Sequence, residues 1–194
     1  MESFVENISK KYSISEYLAI EENSIEKHEF YNGKINKMSG GTYNHNLIAS
    51  NIITTLNILL EEKQQEYAVL GSDMKVYSPR ILSFVYPDAV VVCEKPLFYE
   101  DRKDIITNPL LIVEVLSPST EDYDRKGKFF DYKQIPSFKE YLLVEQNIAF
   151  ITASYKIADR TWQDTEANGS DAYIYLKSID CTISLSKIYK GIKF

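Results

Sequence analysis

Apolar positions in this chain fall into strand-length blocks, joined by two stretches of helical spacing and a third, polar helix. Leu110 to Leu116 is an apolar run rich in branched residues, the pattern of a strand buried on both faces. Val85 to Cys93 is a second such run, and Glu140 to Val144 a third, with Ile148 to Thr152 as its hairpin partner across Glu145-Gln146-Asn147. Tyr67 to Tyr77 alternates as a strand does, with Gly71 marking a bulge and Pro79 ending it. Weaker strands are predicted over Ile157 to Thr165 and Ala172 to Leu176, around an Asn168-Gly169 turn, followed by Cys181 to Leu185 and a short C-terminal helix. His28 to Ile35 reads as a hairpin turning at Asn32-Gly33. Ser13 and Glu16 fit a capping box for a helix from Ile14 to about Glu21. Ile48, Ile52, Leu56 and Leu59 predict a long helix from His45 to about Glu62, with Asn44 as its cap. A third helix starts at Glu121, capped by Ser119 or Thr120, and ends at Gln134-Ile135-Pro136. Glu94 to Asp104 reads as a charged loop and residues 1–11 as a polar leader. Together these give an α/β (α+β) fold in one domain over residues 1–194, with 145–194 packed on it.

Two of the apolar runs carry an anomaly. Glu114 sits in the middle of one, and Asp88, preceded by Pro87, interrupts another. A carboxylate in a buried strand needs a compensating proton, cation or metal. Two such acids on adjacent strands make a hard-oxygen site of the kind Mg²⁺ uses. They also suit ordinary ion pairs with Arg or Lys, and the residues alone leave both readings open. The lysine candidates are Lys126 and Lys128. Lys128 is preferred because it shares a helix face with Asp124 and Tyr132, although an Asp124–Lys128 surface pair contributes only ~0.3–0.5 kcal/mol. Glu29, ahead of an aromatic pair, reads either as a solvated edge-strand residue or as a further acid of the site. His45, in the first turn of the long helix, reads as a surface residue or as a phosphate contact, and Ser119 and Thr120 as caps or phosphate contacts.

Composition narrows the classes. The net charge is −6, and residues 1–33 hold seven Glu against three Lys, so no global basic footprint for coating nucleic acid exists. Cys93 and Cys181 read as core thiols, and with His28 and His45 they have no zinc-site spacing. The N-terminus lacks the basic start and apolar core of a signal peptide, and no apolar run is long enough to span a membrane, which points to a cytoplasmic protein. Gly-x-Ser-x-Gly is missing, which weighs against a serine hydrolase.

Pro87-Asp88, the string Glu114-Val115-Leu116-Ser117-Pro118-Ser119-Thr120, then Asp124 with Lys128 and Tyr132, then Glu140 to Val144, resemble the Uma-two (Uma2) family of restriction-endonuclease-like proteins in the PD-(D/E)XK nuclease superfamily. The resemblance covers most of the chain, from the Glu29 hairpin to about Val144. It implies a mixed central sheet flanked by helices, Asp88 and Glu114 as ligands of Mg²⁺ or Mn²⁺, Glu29 as a third acid, and DNA as substrate. One departure stands out. The superfamily places lysine two residues after the second acid, where this chain has Leu116, so the resemblance implies that Lys128 takes that role. The expected activity is an endonuclease, working as a homodimer through residues 140–152 and the C-terminal strands. The alternative is an inactive dimeric binding protein that keeps the fold.

Overall fold

The structure, a computed structural model, describes residues 10–118 and 121–194. Its order is α1 (Ile14–Asn23), β1 (His28–Tyr31), β2 (Lys34–Lys37), α2 (Tyr43–Glu61), β3 (Tyr67–Gly71), β4 (Lys75–Ser78), β5 (Ser83–Val85), β6 (Ala89–Cys93), β7 (Phe98–Tyr99), β8 (Arg102–Ile106) and β9 (Leu111–Leu116). A helix over residues 121–132 follows, π-helical through Tyr123–Lys128 and closing as α3 (Phe129–Tyr132). Then come β10 (Glu140–Glu145), β11 (Phe150–Ala158), β12 (Thr161–Asn168), β13 (Tyr173–Leu176), β14 (Cys181–Ser184) and α4 (Leu185–Ile188).

Among the described residues these strands make two six-stranded sheets and one hairpin. The central sheet runs β12-β11-β10-β9-β6-β3, with β9 and β10 parallel and its other pairs antiparallel. The second runs β2-β1-β5-β4-β8-β7, parallel only between β4 and β8. The expected mixed α+β architecture is therefore present, with a second large sheet that the sequence reading did not contain.

Alternation along β9 explains the layering. Leu111, Val113 and Val115 pack with Ile48, Ile52 and Leu56 of α2 and with the β13–β14 hairpin. Ile112 and Leu116 pack with Tyr132, Phe138 and Val76 between the two sheets. Glu114 shares the Ile112 and Leu116 side of a strand whose side chains alternate, so it points into the inter-sheet layer. The outer face of the second sheet closes over Tyr17, Phe30 and Phe84, with Tyr17 stacked on Phe30 and Phe84 meeting both rings at steeper angles.

Several sequence expectations are corrected. The Val85–Cys93 run is two strands, because Tyr86-Pro87-Asp88 carries the chain from the second sheet to the central one. Tyr67–Tyr77 likewise splits between the sheets, with Gly71 ending β3 rather than forming a bulge. The 94–104 segment is no loop, since it holds β7 and the start of β8, whose Ile105 and Ile106 are fully buried. The cap of α2 is Thr42, which accepts from the His45 amide, not Asn44. Strand β10 lies inside the central sheet with Glu140 to Val144 buried, so it offers no dimer surface. Cys181 is buried but Cys93 only partly so, and both are free thiols. The capping box at Ser13 forms as expected, and the Asn32-Gly33 turn takes the positive φ angles its residues favour. The leader (residues 1–9) and the caps expected at Ser119 and Thr120 lie outside the described residues. No helix among the described residues is long and apolar enough to cross a membrane.

One buried carboxylate has no role in these contacts. Asp131 is 1% exposed and neither of its carboxylate oxygens has a hydrogen-bond partner among the described residues. Burial pushes its pKa up to about 7. The folded state therefore holds a proton that the unfolded chain releases at lower pH, so this group's contribution to stability falls as pH rises from about 4 to about 7. The penalty above that window is on the order of 4 kcal/mol. Thermal melts at pH 5.5 and pH 8 are expected to show a drop in Tm for the parent that Asp131→Asn largely removes.

Candidate active site

The site forms where the end of β9, the crossing before β6, the β1 hairpin and the π-helical turn meet. A cavity of about 460 Å³ there is lined by Glu29, Asp88, Glu114, Asp124, Lys128 and His45, among others. Glu114 is 2% exposed. Its Oε1 accepts from the Tyr132 hydroxyl at 3.0 Å and lies 3.2 Å from Lys128 Nζ. The same ammonium lies 3.2 Å from Asp124 Oδ1 and 3.4 Å from Glu29 Oε1. Glu29 Oε1 also accepts from the Tyr86 amide at 3.3 Å, which ties β1 to the crossing segment. Asp88 Oδ2 accepts from the Val115 amide at 2.7 Å and faces His45 Nε2 at 3.2 Å. These contacts engage one oxygen of each carboxylate, Asp88 Oδ2 and Glu114 Oε1.

The local backbone explains why one helix delivers these groups. In an α-helix, a residue four positions on overshoots a full turn by about 40°. A π turn holds more residues, so the same step falls short. Asp124 to Lys128 spans the π stretch and Lys128 to Tyr132 the α stretch, and the two deviations offset each other. All three side chains reach one line, as the expectation of a shared face required. Gly127 is needed within this turn, since a Cβ there would sit 2.6 Å from the Tyr123 ring. Tyr123 in turn covers Lys128, with the ammonium 5.6 Å from its ring centre.

Charge decides the protonation pattern. Burial pushes the Glu114 carboxyl well above the usual carboxylate range, and Asp124, Asp88 and Glu29 add to the shift against the pull of Lys128. Burial alone would lower the Lys128 pKa, but Glu114, Glu29 and Asp124 outweigh it and raise it well above its ordinary value. Lys128 is therefore a permanent cation among an excess of acids. The hydrogen bond to Asp88 likewise raises the His45 pKa against its desolvation.

Such a donor set suits a hard divalent cation. Four acids, Glu29, Asp88, Glu114 and Asp124, face one lysine and one histidine there. Among the described residues no group of three or more His, Cys, Asp or Glu is arranged to enclose a metal. The fit is thus to an ion held by one or two carboxylates with water and substrate in its remaining positions, as Mg²⁺ accepts.

The sequence candidates fare differently. Asp88, Glu114, Lys128 and Glu29 line one cavity. Lys126 lies outside, paired with Asp122 at 2.9 Å and largely exposed. His45, considered as a phosphate contact, instead faces Asp88, and its buried Nδ1 has no partner among the described residues. A Cβ on Gly41 would come within 2.7 Å of that nitrogen, so the glycine leaves room for the imidazole. Ser119 and Thr120 fall outside the described residues. Sequence reasoning missed Gln146, whose amide donates to Leu116 O at 2.8 Å while its oxygen accepts from Thr42 at 2.6 Å, clamping the start of α2 to the end of β9. It sits in what reads as a plain hairpin turn, so no pattern marked it.

Comparison with known proteins bears on this geometry. A family model described as "Uma2: Putative restriction endonuclease" matches residues 14–185. The chain belongs to the Uma2 family. Two curated relatives from Synechocystis sp., the uncharacterized proteins sll1609 and slr1290, are 37% identical over 166 residues and 38% over 186. The alignments cover 86% and 95% of this chain and 93% and 94% of those proteins. The crystal structure of "a putative nuclease belonging to DUF820" from Anabaena variabilis superposes with a TM-score of 0.75 over 94% of this chain and 99% of that one. At 15% identity it establishes a shared fold alone. Uma2 membership supports a nuclease, a class that generally uses divalent metals and acts on nucleic acid.

Removing the ammonium tests the electrostatic account. Lys128→Met is expected to destabilise the Uma2 chain by about 3–5 kcal/mol, because it strands buried acids without a cation. Adding Glu114→Gln should recover part of the loss in urea denaturation. Equal losses in the single and double variants would contradict the coupling.

Proposed function

We propose that this protein is a Mg²⁺- or Mn²⁺-dependent endonuclease that hydrolyses phosphodiester bonds in DNA. The observation that carries the reading is the placement of Lys128 Nζ 3.2 Å from Glu114 Oε1, inside the cavity that Asp88 also lines. The strand position where the superfamily keeps its lysine is Leu116, 2% exposed and packed in the core. An amine from the next helix supplies the same charge to the same carboxylate.

In this reading Asp88 and Glu114 would hold the cation, with Glu29 as a further acid lining the same cavity. When bound, the divalent ion supplies a water acidified toward neutral pH and neutralises charge on the phosphate. Lys128, kept charged by its three acids, stabilises negative charge as it grows on the phosphoryl oxygens. The Tyr132 hydroxyl fixes Glu114 Oε1, and His45 with the Val115 amide fixes Asp88 Oδ2, so each acid presents its second oxygen in a set direction. Ser119 and Thr120, which immediately precede Glu121 in the sequence, are proposed as phosphate contacts.

A second reading is favoured by the crowding of Lys128. Its ammonium already faces three carboxylates, an arrangement that also serves a binding protein that has kept the fold and lost cleavage.

Cleavage of supercoiled plasmid and of single-stranded DNA with Mg²⁺ or Mn²⁺ separates the two. The wild type is expected to cut, and Asp88→Ala and Lys128→Ala each to slow cutting at least about 100-fold while circular dichroism reports a folded chain. Calorimetric Mn²⁺ binding should disappear in Asp88→Ala and persist in Lys128→Ala. A folded wild type that binds Mn²⁺ and leaves every substrate intact would overturn catalysis and leave the binding reading.

A further inference from the structure

A second cavity, of about 560 Å³, shares no lining residue with the acidic site. Its lining includes Arg80, Lys133, Lys156 and Arg160, with Asp159 as its single acid. In a chain of net charge −6 this is a local reversal of sign. The acid is a weak partner. Asp159 is 88% exposed and stands 3.8 Å from Lys156 and 4.0 Å from Arg160. Arg80 donates to the neutral Gln134 oxygen at 3.0 Å. Lys133 is held over the Phe129 ring at 3.6 Å and near the Trp162 ring at 5.3 Å, with no carboxylate within ion-pair distance among the described residues. Burial lowers its pKa against a weaker opposing pull from Asp164, the mark of an ammonium that has given up more water than nearby acids make good.

Aromatic surface accompanies the charge. Phe130, 60% exposed, lines the same cavity as the partly buried Trp162. Cations that track a phosphate backbone, next to ring faces on which unpaired bases stack, are the two components of single-strand recognition. Fully paired bases cannot offer those faces, which separates this chemistry from duplex binding.

The geometry points to a groove that anchors an unpaired stretch of nucleic acid, its phosphates on Arg80, Lys133, Lys156 and Arg160 and a base on Phe130, in the cavity that Trp162 also lines. It rests on nucleic acid being the substrate, as the nuclease reading has it. Phe130 and Lys133 belong to the segment that carries Lys128, only two and five residues further on, so one helical segment would link the anchored strand to the acidic site.

Trp162 is the chain's only tryptophan, so its emission reports on this groove alone. The full chain in EDTA, where no cutting occurs, is titrated with oligothymidylate, duplex DNA, thymidine monophosphate and inorganic phosphate. Oligothymidylate is expected to quench Trp162, with an affinity that falls steeply as salt rises. Arg80→Ala, at an exposed position, should make that fall shallower, and Phe130→Ala and Lys133→Ala should each weaken binding about tenfold. Asp88→Ala should leave the quench unchanged. No quench, equal quench by duplex, or equal quench by monophosphate or phosphate would overturn the inference, as would variants that bind like the parent. A chain that quenches but never cuts keeps the groove and loses the nuclease. A chain that cuts without quenching does the reverse.

Discussion

The ammonium of Lys128 is the charge around which the acids at the centre of this fold are arranged. Three acids from three different elements, Glu29 of β1, Glu114 of β9 and Asp124 of the helix, come within 3.4 Å of it. Without that cation, their mutual repulsion in a desolvated layer would favour separation of the two sheets. The elements do not merely surround the site, because the site's charge pattern is one of the terms that fixes their spacing. A buried ion cluster of this kind is a weak source of net stability and a strong constraint on geometry.

That constraint explains why the chain changes sheets where it does. Pro87 cannot donate to a ladder, so the run that begins in β5 leaves the second sheet before Asp88 and re-enters the central sheet as β6. Asp88 thereby sits at a junction rather than within a strand, and the Val115 amide of the neighbouring β9 reaches it. The parallel pairing of β9 with β10 requires the crossover helix between them, and that crossover is the element that carries Lys128. Topology and chemistry thus come from the same connection.

The parts of this arrangement that could be read in the sequence were those set by short-range pattern. The capping box at Ser13, the Asn32-Gly33 hairpin, the β9 strand and the shared face of Asp124, Lys128 and Tyr132 follow from spacing and turn chemistry. Glu114 and Asp88 stood out because a carboxylate in an apolar run has few physical explanations. The second sheet was hidden because its strands are short and its central partners are distant in sequence, and Arg102-Lys103-Asp104 disguised the start of β8 as a loop. The His45 contact to Asp88 and the Gln146 clamp depend on tertiary proximity between segments 43 and 104 residues apart, which no local pattern encodes. The π-helical winding was equally invisible, since Tyr123 to Lys128 has the residue spacing of any polar helix.

That winding carries a consequence for how the chain can vary in length. A π turn is an α turn with room for one more residue. Losing one residue between Asp124 and Lys128 would restore ordinary winding and leave every later side chain close to its present direction around the axis. The lysine would still face the acids and Tyr132 would still face Glu114, because the wider turn absorbs the extra residue. A one-residue change in length is therefore better tolerated at those few positions than in an α-helical turn, where it would rotate everything that follows.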